Sequence, residues 1–270
     1  MRLAIDHTTH YHFTGPVGHG LQRLRLTPAA CRSQTVADWS LELEGAQTEV
    51  SFDDAHGNHV TLIALDPHAE KVSIRSRGVV DTLDSSGVFG RHTGYLPLWH
   101  FVEQTDLTRP GPRLNALLAG FPEADDRLET LHELSALVAA TIVYESGHTD
   151  SATTAEDAIG TGHGVCQDQA HVFIGAARAL GIPARYVSGY LLMNDRVQQE
   201  AGHAWAEAHV DGLGWVGFDI ANAICPDARY VRLASGRDYK EAAPVTGLRY
   251  GAPGESMHVT LAVEAQKVDH

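Results

Sequence analysis

Three short segments in the second half of the chain carry the residue types of a nucleophilic centre, and the first of them contains Cys166. This cysteine lies in Gly162-His163-Gly164-Val165-Cys166-Gln167-Asp168, a glycine-punctuated run that leads into an alanine-rich helical pattern. In the first turn of a helix, free backbone N–H groups and the positive end of the dipole favour an anion such as a thiolate. The pattern therefore indicates a nucleophile at Cys166.

The other two segments predict a β-hairpin that carries a base and an acid. One strand begins with Gly202-His203-Ala204-Trp205, the next ends with Gly217-Phe218-Asp219, and residues 211–214 form the connecting turn. His203 and Asp219 come at the open end of this hairpin, where paired strands bring side chains together. They can supply a base and an acid that orients it, beside a thiolate that attacks a carbonyl carbon. The backbone N–H of Cys166 would donate to the resulting oxyanion.

The chain resembles the transglutaminase-like superfamily of papain-type fold through GVCQDQAHVFIGAARALGIPARYVSGYL, followed by GHAWAEAHVDGLGWVGFDIAN. The likeness is strongest for the bacterial branch, whose members have an N-terminal β domain. The family's catalytic positions match Cys166, His203 and Asp219, and the resemblance further implies an aromatic residue near the oxyanion at Tyr144. The family often reads Phe-Asp-Pro-Thr-Asn where this chain has Phe218-Asp219-Ile220-Ala221-Asn222, so a proline that restrains the backbone is missing.

Hydrophobic periodicity divides the chain into a β-rich first part and a mixed second part. Short alternating runs predict strands over 3–13, 21–26, 36–43, 48–52, 60–65 and 71–80. Helical spacing follows over 125–142, 154–158 and 165–180, and strands return over 184–192, 204–210, 215–218 and 258–263. We therefore predict an α+β protein, with an N-terminal antiparallel β-sandwich followed by a transglutaminase/papain-like core in which the cysteine helix packs on an antiparallel sheet. The predicted domains are a β domain over 1–84, a linker over 85–112 and a catalytic domain over 113–270.

Composition and charge exclude several classes of function. The 270 residues are 43% hydrophobic and carry a formal net charge of −14, which argues against a phosphate-neutralising surface for nucleic acid and against docking on anionic lipid. No apolar run approaches the roughly 18 residues of a membrane span, and the N-terminus does not read as a secretory signal. Three widely spaced cysteines do not make a disulfide framework and suit a reducing compartment. We expect a bacterial cytoplasmic protein.

Metal and structural interpretations compete with the catalytic one. His163 and His171 flank Cys166 at spacings that could bind zinc, and His203, Glu207 and His209 are further candidate ligands. A strand would spread the last three over about 20 Å, which is too far for one ion. The sequence has no D-x-[DN]-x-[DN]-G calcium loop, so neither a metal nor another cofactor is predicted. The remaining assignments concern side chains expected to pack or pair inside the protein: Cys31 and Cys225 as structural, Trp205 as a core aromatic with a weaker candidacy for substrate contact, and Glu207 as a partner for Arg185.

These residues predict an enzyme that acts on amide bonds through a thioester on Cys166. Hydrolysis of a peptide or isopeptide bond in a peptide or protein substrate is favoured, and transfer of the acyl group to an amine is the first alternative. The alternative from another class is a non-catalytic binding or scaffold protein that retains the fold. The N-terminal β domain would either bind substrate or a partner, or pack against the catalytic domain.

Overall fold

The computed structural model of the protein describes residues 1–122, 126–251 and 254–266. The predicted helix start at Asp125 and the last four residues of the predicted catalytic domain, 267–270, lie outside the described residues. Across the described part of the chain, no helix is long and apolar enough to cross a membrane.

Strands dominate the first part of the chain, because apolar side chains alternate with polar ones along each of them. They are β1 (Arg2–Phe13), β2 (His19–Thr27), β3 (Gln34–Glu44), β4 (Ala46–Asp53), β5 (His59–Leu65), β6 (Lys71–Thr82) and β7 (Val88–Gly90). A 3₁₀ turn over Leu98–Phe101 precedes the helical part. The strands predicted from 3–13 to 71–80 are confirmed to within three residues at either end.

The second part alternates helices and strands. Its elements are α1 (Pro112–Leu118), α2 (Arg127–Thr141), β8 (Val143–Tyr144), α3 (Ala155–Thr161), β9 (His163–Gly164), α4 (Cys166–Ala179), β10 (Ala184–Leu191), β11 (Gln198–Gln199), β12 (His203–Val210), β13 (Gly214–Phe218), β14 (Tyr230–Gly236), α5 (Tyr239–Ala242), β15 (Val245–Tyr250) and β16 (Glu255–Ala265). Thr154 caps α3, since its side chain accepts from the N–H of Asp157. The helix predicted to start at Thr154 is therefore present.

Two antiparallel sheets form the sandwich, with strand orders β11-β16-β1-β6-β3 and β15-β2-β5-β4. Every second side chain of β1 is buried, and Leu3, Ile5 and Tyr11 belong to the hydrophobic core of the sandwich. The C-terminal strands β15 and β16 pair with β2 and β1, although the sequence placed them in the catalytic domain. Local periodicity does not record this pairing, because the register of strands that are distant in the chain is set by tertiary contacts.

The third sheet is antiparallel, with strand order β14-β10-β12-β13-β7, and it carries the cysteine helix. Helix α4 packs on β12, where Ala204, Ala206 and Ala208 turn their small side chains toward the helical core. Strand β7 extends this sheet from within the predicted linker. The protein is thus a mixed α+β structure with antiparallel sheets and a cysteine-bearing helix, as predicted.

Gly175 permits the close approach of α4 to the segment before α1. A Cβ atom at this position would lie 2.2 Å from the backbone oxygen of Thr108, which is fully buried. We expect Gly175→Ala to lower the free energy of unfolding by about 1–3 kcal/mol, because the backbone contact cannot be relieved by a rotamer change. Urea unfolding will measure this difference. Gly15→Ala is the matched control, since nothing lies within 4 Å of a Cβ there; equal losses in both variants would contradict the packing argument.

Candidate functional site

A cavity of about 620 Å³ lies where the third sheet, β14-β10-β12-β13-β7, meets helix α4 and the sandwich. Its walls bring together residues from both parts of the chain, among them His7, Tyr144, Cys166, Tyr186, Arg196, His203 and Pro244. The sandwich closes one side, since His7 of β1 hydrogen-bonds the Tyr190 hydroxyl over 2.9 Å. Burial lowers the pKa of His7 to about 4, so this side of the cavity presents a neutral imidazole at neutral pH.

Cys166 is the first residue of α4 and is partly accessible from the cavity. The loop before it is held by Asp168, whose carboxylate accepts from the N–H of Val165 at 2.8 Å and from the Thr149 hydroxyl at 2.7 Å. The carboxylate of Asp168 is therefore hydrogen-bonded to Val165 and Thr149, which precede the helix. Within the described part of the chain, the N–H groups of Cys166 and Gln167 have no hydrogen-bond partner, so they remain free donors at the start of the helix.

His203 and Asp219 meet at the open end of the β12–β13 hairpin, as the sequence predicted. The Nε2 atom of His203 lies 2.6 Å from Oδ2 of Asp219, and both side chains are buried. This pairing leaves Nδ1 as the ring nitrogen available to Cys166, which lines the same cavity. The geometry has the order thiol, imidazole, carboxylate that nucleophilic catalysis by cysteine requires.

Two further residues complete the surroundings of Asp219. The Tyr230 hydroxyl donates to its Oδ2 atom at 2.6 Å, the side-chain amide of Asn222 donates to the same atom at 2.7 Å, and the Asn222 N–H donates to Oδ1 at 3.2 Å. Sequence reasoning missed both residues. Tyr230 begins β14, and the aromatic, β-branched and aliphatic residues of the run Tyr230-Val231-Arg232-Leu233 were a signal that could have indicated this strand.

The electrostatic interactions between His203 and Asp219 favour the ionised form of each side chain. Burial lowers the pKa of His203, but hydrogen bonds and charge interactions with Asp219 and Cys166 outweigh it and raise that pKa to about 10. Burial raises the pKa of Asp219, and the hydrogen bonds from His203, Tyr230 and Asn222 outweigh it, so the net shift is downward. At neutral pH the site therefore holds an imidazolium beside a carboxylate.

Tyr144 lies on the rim of the cavity, and Trp205 does not reach it. Tyr144 is 56% exposed and belongs to β8, which pairs with β9 just before the cysteine. Burial of its hydroxyl and the nearby Cys166 and Asp219 raise its pKa, so the hydroxyl stays protonated and can donate. Trp205 is fully buried with its ring 5.5 Å from that of Tyr230 and 6.4 Å from that of His203. It supports the histidine, and the predicted contact with substrate is not available to it.

Glu207 shares the strand face of His203 and forms a buried ion triad. Its carboxylate contacts Arg185 at 2.5 Å and Arg232 at 3.0 Å, which confirms the predicted pairing with Arg185 and adds a second arginine. Burial raises the pKa of Glu207, but the two guanidinium groups lower it more strongly. The triad links β10, β12 and β14 beneath the site, so it positions the strands that carry His203 and Tyr230.

The remaining residues considered for chemistry lie elsewhere. His171 is fully buried, accepts from the N–H of Tyr239 at 3.1 Å, and has its pKa lowered to about 3 by burial, so it is a neutral structural histidine. The described residues contain no metal-type cluster that includes Cys166. Cys31 is exposed on the sandwich, Cys225 packs against Gly87, and neither lines the cavity.

Two family models match the sequence. The transglutaminase-like superfamily matches residues 116–220, a range that includes Cys166, His203 and Asp219, and the bacterial transglutaminase-like N-terminal region matches residues 3–81. Residues 116–220 are thus similar to the transglutaminase-like superfamily, and residues 3–81 are similar to the N-terminal region of its bacterial members. This similarity supports a cysteine-type enzyme in general.

Similar proteins span nearly the whole chain. An uncharacterized protein of Mycobacterium leprae is 28% identical over 276 residues, covering 97% of this chain and 98% of the relative. An uncharacterized protein of Mycobacterium tuberculosis is 29% identical over 286 residues, covering 92% and 88%. Among solved structures, a Cytophaga hutchinsonii protein named a putative cysteine protease matches with a TM-score of 0.78 at 24% identity, covering 100% of this chain and 92% of its own. That likeness establishes the fold.

Proposed function

We propose that the protein is a cysteine-dependent amide-bond hydrolase that forms a thioester between Cys166 and the acyl part of a peptide or protein substrate. The observation that carries this proposal is the convergence, on one cavity, of Cys166 at the start of α4 and of His203 held by Asp219. A binding or scaffold protein would not need a buried carboxylate that accepts hydrogen bonds from the histidine and from two further side chains. Cysteine chemistry does, because the carboxylate stabilises an imidazolium beside a thiolate.

Each group has a defined part in the reaction. The Cys166 thiolate attacks the carbonyl carbon, and the backbone N–H of Cys166 together with the Tyr144 hydroxyl donates to the oxyanion. The C–N bond then breaks, and His203 gives its proton to the leaving amine. Water, deprotonated by the now neutral His203, attacks the thioester and releases the acid with return of the thiolate. Asp219 keeps the ring oriented through Nε2 in both half-reactions.

The choice between water and an amine as acceptor separates hydrolysis from acyl transfer. Both reactions share the thioester, so they differ only in what attacks it. We expect a synthetic glutamine-containing peptide mixed with an excess of a primary amine to yield free acid rather than amine conjugate, as measured by mass spectrometry. Conjugate as the main product would show that the protein is a transamidase with the same centre.

The pH profile of alkylation at Cys166 tests whether the site is assembled. We expect iodoacetamide to label Cys166 across neutral pH, because His203 stays protonated up to a pKa of about 10 and stabilises the thiolate below it. Cys225 is expected to label only at higher pH, since burial raises its thiol pKa. Peptide mapping by mass spectrometry reads each cysteine separately.

Asp219→Asn is the sharpest variant for this measurement. The amide cannot stabilise the imidazolium, so the pKa of His203 falls and the alkylation profile of Cys166 moves to higher pH. Asp227→Asn, a change on the loop before β14, serves as control and should leave the profile unchanged. An unchanged profile in Asp219→Asn, or an inert Cys166 in the folded wild-type protein, would contradict the proposal and favour a non-catalytic binding protein.

A further inference from the structure

A second group of chemically active side chains lies next to the candidate site and has no part in the proposed reaction. It consists of Glu145, His148 and His163, whose ligand atoms all lie within 4.8 Å of one another. Oε2 of Glu145 is 2.9 Å from Nδ1 of His163 and 3.3 Å from Nε2 of His148. The two imidazole rings are stacked, with centroids 4.8 Å apart and an angle of 25° between their planes. We call these three residues the EHH cluster.

The ligand atoms of the EHH cluster are spaced as in a metal site, and the carboxylate does not form hydrogen bonds with the two imidazoles. Nδ1 of His163 is buried and has no hydrogen-bond partner, although the carboxylate oxygen is only 2.9 Å away. The ring nitrogen and the oxygen therefore do not point at each other. Ligands bound at 2.0–2.2 Å in a tetrahedron are separated by roughly 3.3 Å, and the distances of 2.9 and 3.3 Å in the cluster are close to this value.

The charge around the cluster also suits a cation. In the described part of the chain, the Glu145 carboxylate lies within 4 Å of nitrogen atoms of the two histidines and of no lysine or arginine. A comparable group formed by His56, His100 and Glu241 differs in this respect, since Arg237 already donates to Glu241 at 2.6 Å and would repel a metal ion. The EHH cluster is thus the better candidate of the two.

We propose that Glu145, His148 and His163 bind one divalent transition-metal ion of the zinc type, with a water molecule as fourth ligand. Two imidazoles and one carboxylate are a ligand set that Zn²⁺ accepts, and imidazole disfavours Mg²⁺ and Ca²⁺. The ion would tie two chain segments together. Glu145 directly follows Tyr144, and its N–H already donates to Gly164 at 2.8 Å, two residues before Cys166. A metal here would therefore brace the rim of the cavity between Tyr144 and Cys166.

The experiment is a titration of the full chain, carrying Cys166→Ala, with Zn²⁺ in an isothermal titration calorimeter. Removal of the thiol takes the sulfur ligand out of the candidate active site and removes the nucleophile, so the measurement is independent of the proposed hydrolase function. We expect one Zn²⁺ per chain. His163→Ala and His148→Ala in the same background should each weaken binding by about tenfold or more, because each loses a direct ligand. His12→Ala, an exposed histidine on the sandwich, is the matched control and should bind as its parent does.

Co²⁺ substitution supplies a second readout that does not depend on affinity. In the wild-type chain, Co²⁺ in the EHH cluster should show the visible bands of a four-coordinate nitrogen and oxygen site, without thiolate charge transfer. The proposal would be overturned if Co²⁺ bound only while Cys166 is present and showed thiolate charge transfer. It would also be overturned if folded Cys166→Ala bound no stoichiometric Zn²⁺. Equal affinity in His163→Ala and its parent would overturn it as well.

Discussion

Cys166→Ala is expected to lower amide hydrolysis by about four orders of magnitude or more, which is the largest functional effect we predict for this protein. A nucleophile that acts as a unit with its base and acid cannot be replaced by the neighbouring groups, so its removal costs nearly the full rate enhancement. The measurement is the release of new termini from a synthetic peptide library, followed by mass spectrometry. The variant should fold normally, because the Cys166 side chain borders a cavity and alanine is a strong helix former at the start of α4.

Matched cysteine variants make this prediction specific. Cys31→Ala and Cys225→Ala remove thiols outside the cavity and are expected to retain activity close to that of the wild type. His203→Ala should be as inactive as Cys166→Ala, and the double variant should be no worse than either, since members of one catalytic unit are not additive. Full activity in folded Cys166→Ala would refute the proposed thioester mechanism.

Glu207→Ala is expected to lower the free energy of unfolding by about 3–5 kcal/mol, the largest effect on stability that we predict. Glu207 is completely buried, and it is the shared counter-ion of Arg185 and Arg232, which are themselves mostly buried. Alanine at this position leaves two positive charges facing each other without a counter-charge and opens a void between β10, β12 and β14. Urea unfolding followed by circular dichroism will measure the loss.

An exposed acidic residue provides the control for the ion triad. Asp195 pairs with the adjacent Arg196 on the surface, so Asp195→Ala is expected to leave the unfolding midpoint close to that of the wild type. Because β12 and β14 carry His203 and Tyr230, Glu207→Ala should also weaken activity below the unfolding temperature. A loss of stability in Glu207→Ala no larger than in Asp195→Ala would show that the buried triad does not hold these strands together.

The linear sequence was sufficient for the features that depend on local spacing. Alternating side chains predicted the strands from β1 to β6, because a half-buried strand leaves a period of two in the sequence. Glycines around Cys166 and the helical pattern after it predicted the start of α4. The hairpin of β12 and β13 was predictable as well, because two neighbouring strands joined by a short turn pair with each other.

Only the tertiary structure decided which distant segments meet. Tyr230 donates to Asp219 because β14 pairs with β10, and β15 and β16 join the sandwich because they pair with β2 and β1. The same holds for the buried partners of Glu207 and for the EHH cluster, whose members come from two segments on either side of α3, the loop after β8 and strand β9. Such contacts depend on long-range strand register and on the burial of charge, and neither quantity has a period along the chain. The sequence by itself therefore determined the candidate site residues and their local elements, and the fold determined the environment that sets their charge.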